Sequence, residues 1–229
     1  MIRVVSFDGD DTLWHFETVL YAALERCLDE LRVAVPGGRA RDHTVEHLMA
    51  ARAAAEQRGA GTRDLRELRR LGFEVVLEEL GHPDPALAER LTDVFLEHRS
   101  ALIEPYPEVL PALDALGRRY TLGLISNGNA DTERCVLAGR FAFRVHAHQH
   151  GVEKPDPALF RIALREAGCD PGEMLHVGDS LEFDVVGAQA AGVRAVWLNR
   201  TRATAPGDVR PDAEIRGLDE LQPVLDRLA

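Results

Sequence analysis

Three carboxylates fall within four residues in Ser6-Phe7-Asp8-Gly9-Asp10-Asp11-Thr12-Leu13, where the apolar run Val4-Val5-Ser6-Phe7 stops. Acids this close repel one another unless a cation or a proton sits among them. Such an octet at a strand end suits a hard metal ion or acid/base chemistry. It equally suits a hairpin turn at Asp8-Gly9 leading into a solvated acidic loop. The octet alone does not choose.

Three later stretches bear on the choice. Ser126-Asn127-Gly128-Asn129 combines small polar residues with a glycine and suits cradling an anion with hydroxyl and backbone N–H donors. In Gly151-Val152-Glu153-Lys154-Pro155-Asp156-Pro157, Asp156 reads as an N-cap and Pro157 as the first helical residue, which leaves Lys154 on the loop before the helix. Gly178-Asp179-Ser180 is followed by Asp184 one helical turn on. Singly, each has an ordinary explanation as a turn, a solvated lysine or a helix cap. Of the 27 basic side chains, however, Lys154 is the only lysine. A compact ammonium and a planar guanidinium are not interchangeable at a tight site.

The elements that would position these residues follow from periodicity. Residues 2–8 read as a buried strand, β-branched and aromatic and ended by Asp-Gly. From Trp14 to about Ser100 the apolar positions recur at helical spacing instead, over 16–32, 43–58, 63–80 and 85–102. Breaks fall at Pro36-Gly37-Gly38, Gly59-Ala60-Gly61 and Gly81-His82-Pro83. That block reads as a small helical bundle. After Tyr106-Pro107 helix and strand alternate: helix 107–117, strand 120–126, helix 130–138, strand 142–147 and helix 156–167. Strand 174–178, helix 181–191, strand 194–198 and helix 217–228 complete the series, with 201–212 the loosest stretch. Repeated β-α-β units predict an α/β fold, a parallel sheet covered by helices on both faces, with the helical block inserted after its first strand.

Ligands bind such sheets at the carboxyl ends of the strands. The four chemistry-bearing stretches all follow predicted strands, so they gather at one sheet edge, with acids on two tips and hydroxyl and ammonium on the other two. Carboxylates with Mg²⁺, a serine and a lysine are what is needed to hold and attack a phosphoryl group.

Bulk properties narrow the classes. The 229 residues are 45% apolar and 28% charged, ordinary for a globular chain with a sizeable core. A net charge of −11 argues against nucleic acid or an anionic membrane as partner. No signal peptide or transmembrane run is evident, and Cys27, Cys135 and Cys169 read as buried thiols of a reducing compartment. A cytoplasmic location is expected.

These motifs together resemble the haloacid dehalogenase-like hydrolase superfamily, in the branch with a helical cap inserted after the first strand. Its Asp-x-Asp-x-Thr motif matches Asp8-Gly9-Asp10-Asp11-Thr12, its strand-ending Ser or Thr matches Ser126, and its lysine before a helix matches Lys154. Its Gly-Asp-Ser with a later aspartate matches Gly178-Asp179-Ser180 and Asp184. Asp11 is a variation, since many members have glycine there. The resemblance implies a Rossmann-like catalytic core, residues 1–14 with 103–229, and an all-helical cap, residues 15–102.

It also implies roles. Asp8 would attack phosphorus and form an aspartyl-phosphate. Asp10 would protonate the leaving oxygen and later deprotonate the hydrolytic water. Mg²⁺ would be held by Asp8, the backbone carbonyl of Asp10, and Asp179. Ser126, Asn127 and Lys154 would bind the phosphoryl oxygens, Asp184 would orient Lys154, and Thr12 would support the geometry of Asp10. The expected substrate is a small phosphorylated metabolite. By the same resemblance, true haloacid dehalogenases lack the second aspartate, which is present here as Asp10. Phosphonate cleavage needs a cap lysine for a Schiff base, and the cap contains none. A 2-haloacid dehalogenase, a phosphomutase and a non-turnover binder of phosphorylated ligands stay as alternatives.

Several residues carry weaker signals. His15 follows the first acidic loop directly and could meet substrate or a cap residue, although a polar residue at the hinge into the cap is the simpler account. His146, His148 and His150 would share one face if strand-like, a conceivable metal clamp, although exposed edge histidines are the simpler account. Arg63, Arg66, Arg69 and Arg70 with Asp64 and Glu67 read as a solvated helix face. His43 and His47 share one cap helix.

Overall fold

The computed structural model describes residues 1–58, 62, 64–205 and 207–228. The chain forms two compact units, Met1–His15 with Glu104–Ala229, and Phe16–Ile103. In chain order the elements are β1 (Val4–Phe7), α1 (Phe16–Ala34), α2 (Val45–Arg58), α3 (Leu65–Glu79) and α4 (Pro85–Ala101), then α5 (Val109–Leu116), β2 (Thr121–Ser126) and β3 (Phe143–His146). There follow α6 (Ala147–His150), α7 (Pro157–Ala167), β4 (Met174–Gly178), α8 (Gly187–Ala190), β5 (Arg194–Leu198), β6 (Ala213–Ile215) and α9 (Leu221–Leu228).

Among the described residues the sheet has six strands in the order β3-β2-β1-β4-β5-β6, and every pairing is parallel. Helices cover both faces, the Rossmann-like α/β arrangement expected from the alternation of elements. The strands are nearly continuous apolar runs because both faces are buried, and β1 is buried at every position. The order of strands reverses at β1. The carboxyl ends of β1 and β4 therefore flank the crevice where ligands of open α/β sheets bind.

The boundaries differ from the sequence expectation at four places. Residues 130–138 do not form a helix; Asp131 caps a single 3-10 turn, Thr132–Arg134, and turns follow. The stretch 181–191 opens as a π-helical turn, Leu181–Val186, before α8. The strand at 142–147 stops at His146, and Ala147–His150 coils into one helical turn closed by Gly151 at φ 68°. The three histidines consequently do not alternate on a strand face: His146 is buried, whereas His148 and His150 are exposed. Finally, β6 emerges from the loose stretch by pairing Val196 with Ala213 and Leu198 with Ile215.

The helical unit packs α1 to α4 around a core that includes Leu24, Leu31, Phe73, Leu77, Leu91 and Phe95. Asp64 caps α3 by accepting from the Arg66 and Glu67 N–H groups, and Asp84 caps α4 ahead of Pro85. Arg70 pairs with Glu67 at 2.7 Å and with Glu74, while Arg66 crosses to Glu89 and to Asp93 at 2.8 Å. Such half-exposed pairs contribute at most about 1 kcal/mol each. Arg69 instead lies with its guanidinium carbon 4.0 Å from the Phe95 ring centroid. Gly59-Ala60-Gly61 and Arg63 lie outside the described residues. His43 lies before α2 and only His47 within it; their ring centroids are 5.1 Å apart with the planes tilted by 38°, and His47 Nδ1 accepts the Thr44 N–H. Cys27 is buried and Cys135 and Cys169 half-buried, all three free thiols. Among the described residues no helix is long and apolar enough to cross a membrane.

Candidate active site

The β1 ladder ends as the Asp8 N–H donates to Val177 O of β4 at 2.9 Å, which fixes the Asp8 side chain at the carboxyl edge beside β4. The loop then folds back tightly: Leu13 N–H reaches Gly9 O at 2.8 Å, and Asp11 N–H reaches Trp14 O at 2.7 Å. This turn places Asp11 at φ 59°, a left-handed conformation unfavourable for residues with a Cβ. Glycine adopts this conformation without that steric cost. The Trp14 indole N–H donates to Asp10 Oδ1 at 2.7 Å, and the buried ring lies against Gly9.

Thr12 ties the loop to the tip of β4. Its hydroxyl lies 3.3 Å from Asp179 Oδ1 as donor and accepts the Asp179 N–H at 3.1 Å. Trp197 holds the same residue from β5, its indole N–H on Asp179 O at 2.8 Å. Arg200 donates to Thr12 O at 2.8 Å and pairs with Glu108 at 2.6 Å while stacking 3.8 Å over Tyr106.

At the tip of β2, Ser126 Oγ accepts the Gly128 N–H at 3.0 Å, and His146 Nδ1 meets Gly128 O at 3.0 Å. A Cβ on Gly128 would stand 2.8 Å from Asp10 Oδ2, so any larger residue where this loop passes the acid would have to displace it. The Asn127 amide is turned away, toward the lysine loop. It accepts the Lys154 N–H at 2.8 Å and donates to Lys154 O at 3.0 Å. Asn127 thus clamps the backbone from which the Lys154 side chain departs.

Lys154 Nζ is buried between two carboxylates, 2.5 Å from Asp8 Oδ1 and 2.6 Å from Asp184 Oδ1. Asp184 is also held by His176 Nε2 at 3.1 Å and by the Ser180 N–H on Oδ2 at 3.0 Å. A Cβ on Gly178 would fall 2.1 Å from Asp184 Cγ, so this approach requires glycine.

The electrostatics follow from burial and crowding. Desolvation, with the charges of Asp184 and Asp179, pushes Asp8 up to about 8 despite Lys154. Burial, then the charges of Asp184 and Asp11, raises Asp179 to about 6. Burial also opposes ionisation of Asp184, but Lys154 and His176 outweigh it and hold that carboxyl well below the usual range. Burial disfavours the Lys154 charge, yet Asp184 and Asp8 more than offset it and push the ammonium up. Burial pushes the His176 imidazole down from its ordinary value, against the opposing pull of Asp184.

Asp8, Asp179 and Asp184 each offer an oxygen within 4.8 Å of the others. The oxygens of Asp184 already serve Lys154, His176 and Ser180, so Asp8 and Asp179 are the donors open to a cation. Two carboxyls raised by burial and by neighbouring carboxylates at one rim are a donor set that fits a hard divalent ion. The histidines do not form a further metal group among the described residues.

Ser6, Trp14, His176, Trp197 and Arg200 were not singled out from the sequence. Ser6 and His176 did carry a signal, as polar residues inside otherwise apolar strands.

A family model described as haloacid dehalogenase-like hydrolase matches residues 2–192. The chain belongs to that family. Within it, this haloacid dehalogenase-like hydrolase is 30% identical to a glyceraldehyde 3-phosphate phosphatase of Methanopyrus kandleri, over 100% of this chain and 99% of that protein. It is 36% identical to a phosphoserine phosphatase of Thermus thermophilus over 65% of this chain and 61% of that protein, less than two thirds of the relative's length. Among solved structures, a 2-haloacid dehalogenase from Pseudomonas syringae pv. Tomato is similar at TM-score 0.85 and 39% identity, with 100% of both chains covered.

Proposed function

We propose that this hydrolase is a Mg²⁺-dependent phosphatase that cleaves a small phosphomonoester through an aspartyl-phosphate. The observation that supports this best is the convergence of Asp8 and Asp179 beside Lys154. Displacing a halide from carbon calls for neither a cation nor a proton donor to the leaving atom, whereas attack of a carboxylate on an anionic phosphate calls for the cation and the leaving ester oxygen calls for the proton donor, Asp10.

Asp8 and Asp179, with the backbone carbonyl of Asp10, would hold the ion. When bound, Mg²⁺ supplies charge neutralisation for the approach of a carboxylate to a phosphate. A carboxylate oxygen of Asp8 forms the bond to phosphorus as the bond to the ester oxygen breaks, and Asp10 gives its proton to that leaving oxygen. Water then attacks phosphorus, Asp10 takes a proton from it, and inorganic phosphate departs as Asp8 is regenerated. Ser126 Oγ, the backbone N–H groups of its loop and Lys154 Nζ bind the phosphoryl oxygens. Thr12 keeps Asp179 at the rim, and the Trp14 indole keeps Asp10 turned to it.

Turnover of p-nitrophenyl phosphate with and without Mg²⁺, in wild type and Asp8→Asn, tests the proposal. Mg²⁺-dependent release that vanishes in Asp8→Asn is expected; undiminished release in that variant would sink the nucleophile assignment. A second reading, hydrolytic dehalogenation of a 2-haloacid by Asp8, is favoured by the similarity to the Pseudomonas syringae structure. Halide release without metal and without phosphatase activity would establish it instead.

A further inference from the structure

Ser6 of β1 and His176 of β4 are register partners on adjacent strands, both buried in the middle of the sheet. A hydroxyl and an imidazole in such a place cost stability unless each finds a partner. Ser6 Oγ lies 3.0 Å from His176 Nδ1, and His176 Nε2 lies 3.1 Å from Asp184 Oδ1. The Phe160 ring of α7 meets the imidazole edge-on at 5.0 Å and limits its rotation. Because Asp184 is an acceptor, Nε2 carries the proton and Nδ1 accepts from the Ser6 hydroxyl.

The chain of contacts then runs from Ser6 through His176 and Asp184 to Lys154, and ends on Asp8. We propose that His176 is a positioning residue for phosphate binding: its Nε2–H pins Asp184 Oδ1 so that Lys154 stays tethered when it exchanges Asp8 for a phosphoryl oxygen. Asp184 has an alternative without that pin, since its carboxylate lies within 4.8 Å of Asp8 and Asp179 and could turn toward the cation those acids attract. The inference deepens the phosphatase proposal and rests on it for the identity of the anion.

Glutamine places an amide nitrogen at the reach of Nε2, whereas asparagine places one only at the reach of Nδ1. Inhibition of p-nitrophenyl phosphate turnover by inorganic phosphate is the readout, with thermal melting to report folding. In His176→Gln the inhibition constant stays within about threefold of wild type. In His176→Asn and in Ser6→Ala/His176→Leu it rises about tenfold, the scale of one hydrogen bond to a charged group, while kcat changes less. Equal behaviour of the Gln and Asn variants, or wild-type phosphate affinity in the folded double variant, would overturn the proposal. Nitrogen-15 spectra of the histidines give a second readout that needs no activity. An Nε2–H tautomer for His176 is expected, and an Nδ1–H tautomer refutes the link. If wild type neither turns over phosphate esters nor binds phosphate, the phosphatase proposal fails and the tautomer alone decides the role of His176.

Discussion

The indole N–H of Trp14 donates to Asp10 Oδ1 at 2.7 Å between residues four positions apart, from a ring that is 1% exposed. The side chain proposed to move protons is thus held by a rigid donor. Trp14→Phe keeps most of the buried ring and removes that donor. The expected result is a drop in kcat of about tenfold with KM little changed, because one hydrogen bond to a carboxylate is worth roughly 1.5–3 kcal/mol. Steady-state kinetics on p-nitrophenyl phosphate checks it; an unaltered kcat would show that Asp10 does not depend on the indole.

Asp11 occupies φ 59°, which costs an L-residue roughly 1–2 kcal/mol, part of which glycine returns as unfolded-state entropy. Asp11→Gly is expected to raise stability by about 0.5 kcal/mol, on the same reasoning, and to retain turnover. Chemical denaturation measures the first and the phosphatase assay the second. A destabilised protein would mean that the Asp11 carboxylate contributes more than its backbone conformation costs.

Removing the lysine should be severe. Lys154→Met leaves Asp8 and Asp184 buried without their shared ammonium, and breaking a buried pair in this way costs about 3–5 kcal/mol. Denaturant midpoints should fall accordingly and turnover should disappear. Lys154→Arg should not restore activity, because a planar fork does not fit the space of a point charge that is 3% exposed.

Asp8 at about 8 and Asp179 at about 6 stand above the ordinary 3.8, so the folded protein binds more protons there than the unfolded chain. Their contribution is full below about 3.8 and is lost as pH rises through 6 and 8. His146 and His176, held below 6.5 by burial, act in the opposite sense as pH falls through 6.5. The clear signal is therefore the effect of Mg²⁺, which needs both carboxylates ionised. The increase in melting temperature on adding Mg²⁺ should be larger at pH 8 than at pH 5.5, and should be abolished in Asp8→Asn/Asp179→Asn. Equal stabilisation at both pH values would place the ion elsewhere.

The sequence by itself determined which residues gather at the carboxyl edge of the sheet. Asp8, Ser126 and Asp179 each stand where an apolar run ends, Lys154 stands on the loop after the third strand, and a buried parallel strand is legible because both its faces demand apolar residues. The helical block between Phe16 and Ile103 was equally legible from its 3.6-residue period. Short elements were not. The three residues of β6 exist through pairing with β5, and the apolar spacing of 130–138 was overruled by the turns after Asp131. What only the tertiary structure decided is who holds the acids. Ser6 meets His176 because two strands 170 positions apart become neighbours, and Lys154 divides itself between Asp8 and Asp184 at distances no spacing encodes. Asp11 likewise became intelligible once its φ of 59° was visible. Periodicity reports which side of an element is buried; the partner of a buried polar group is set by strand order and register, which are non-local.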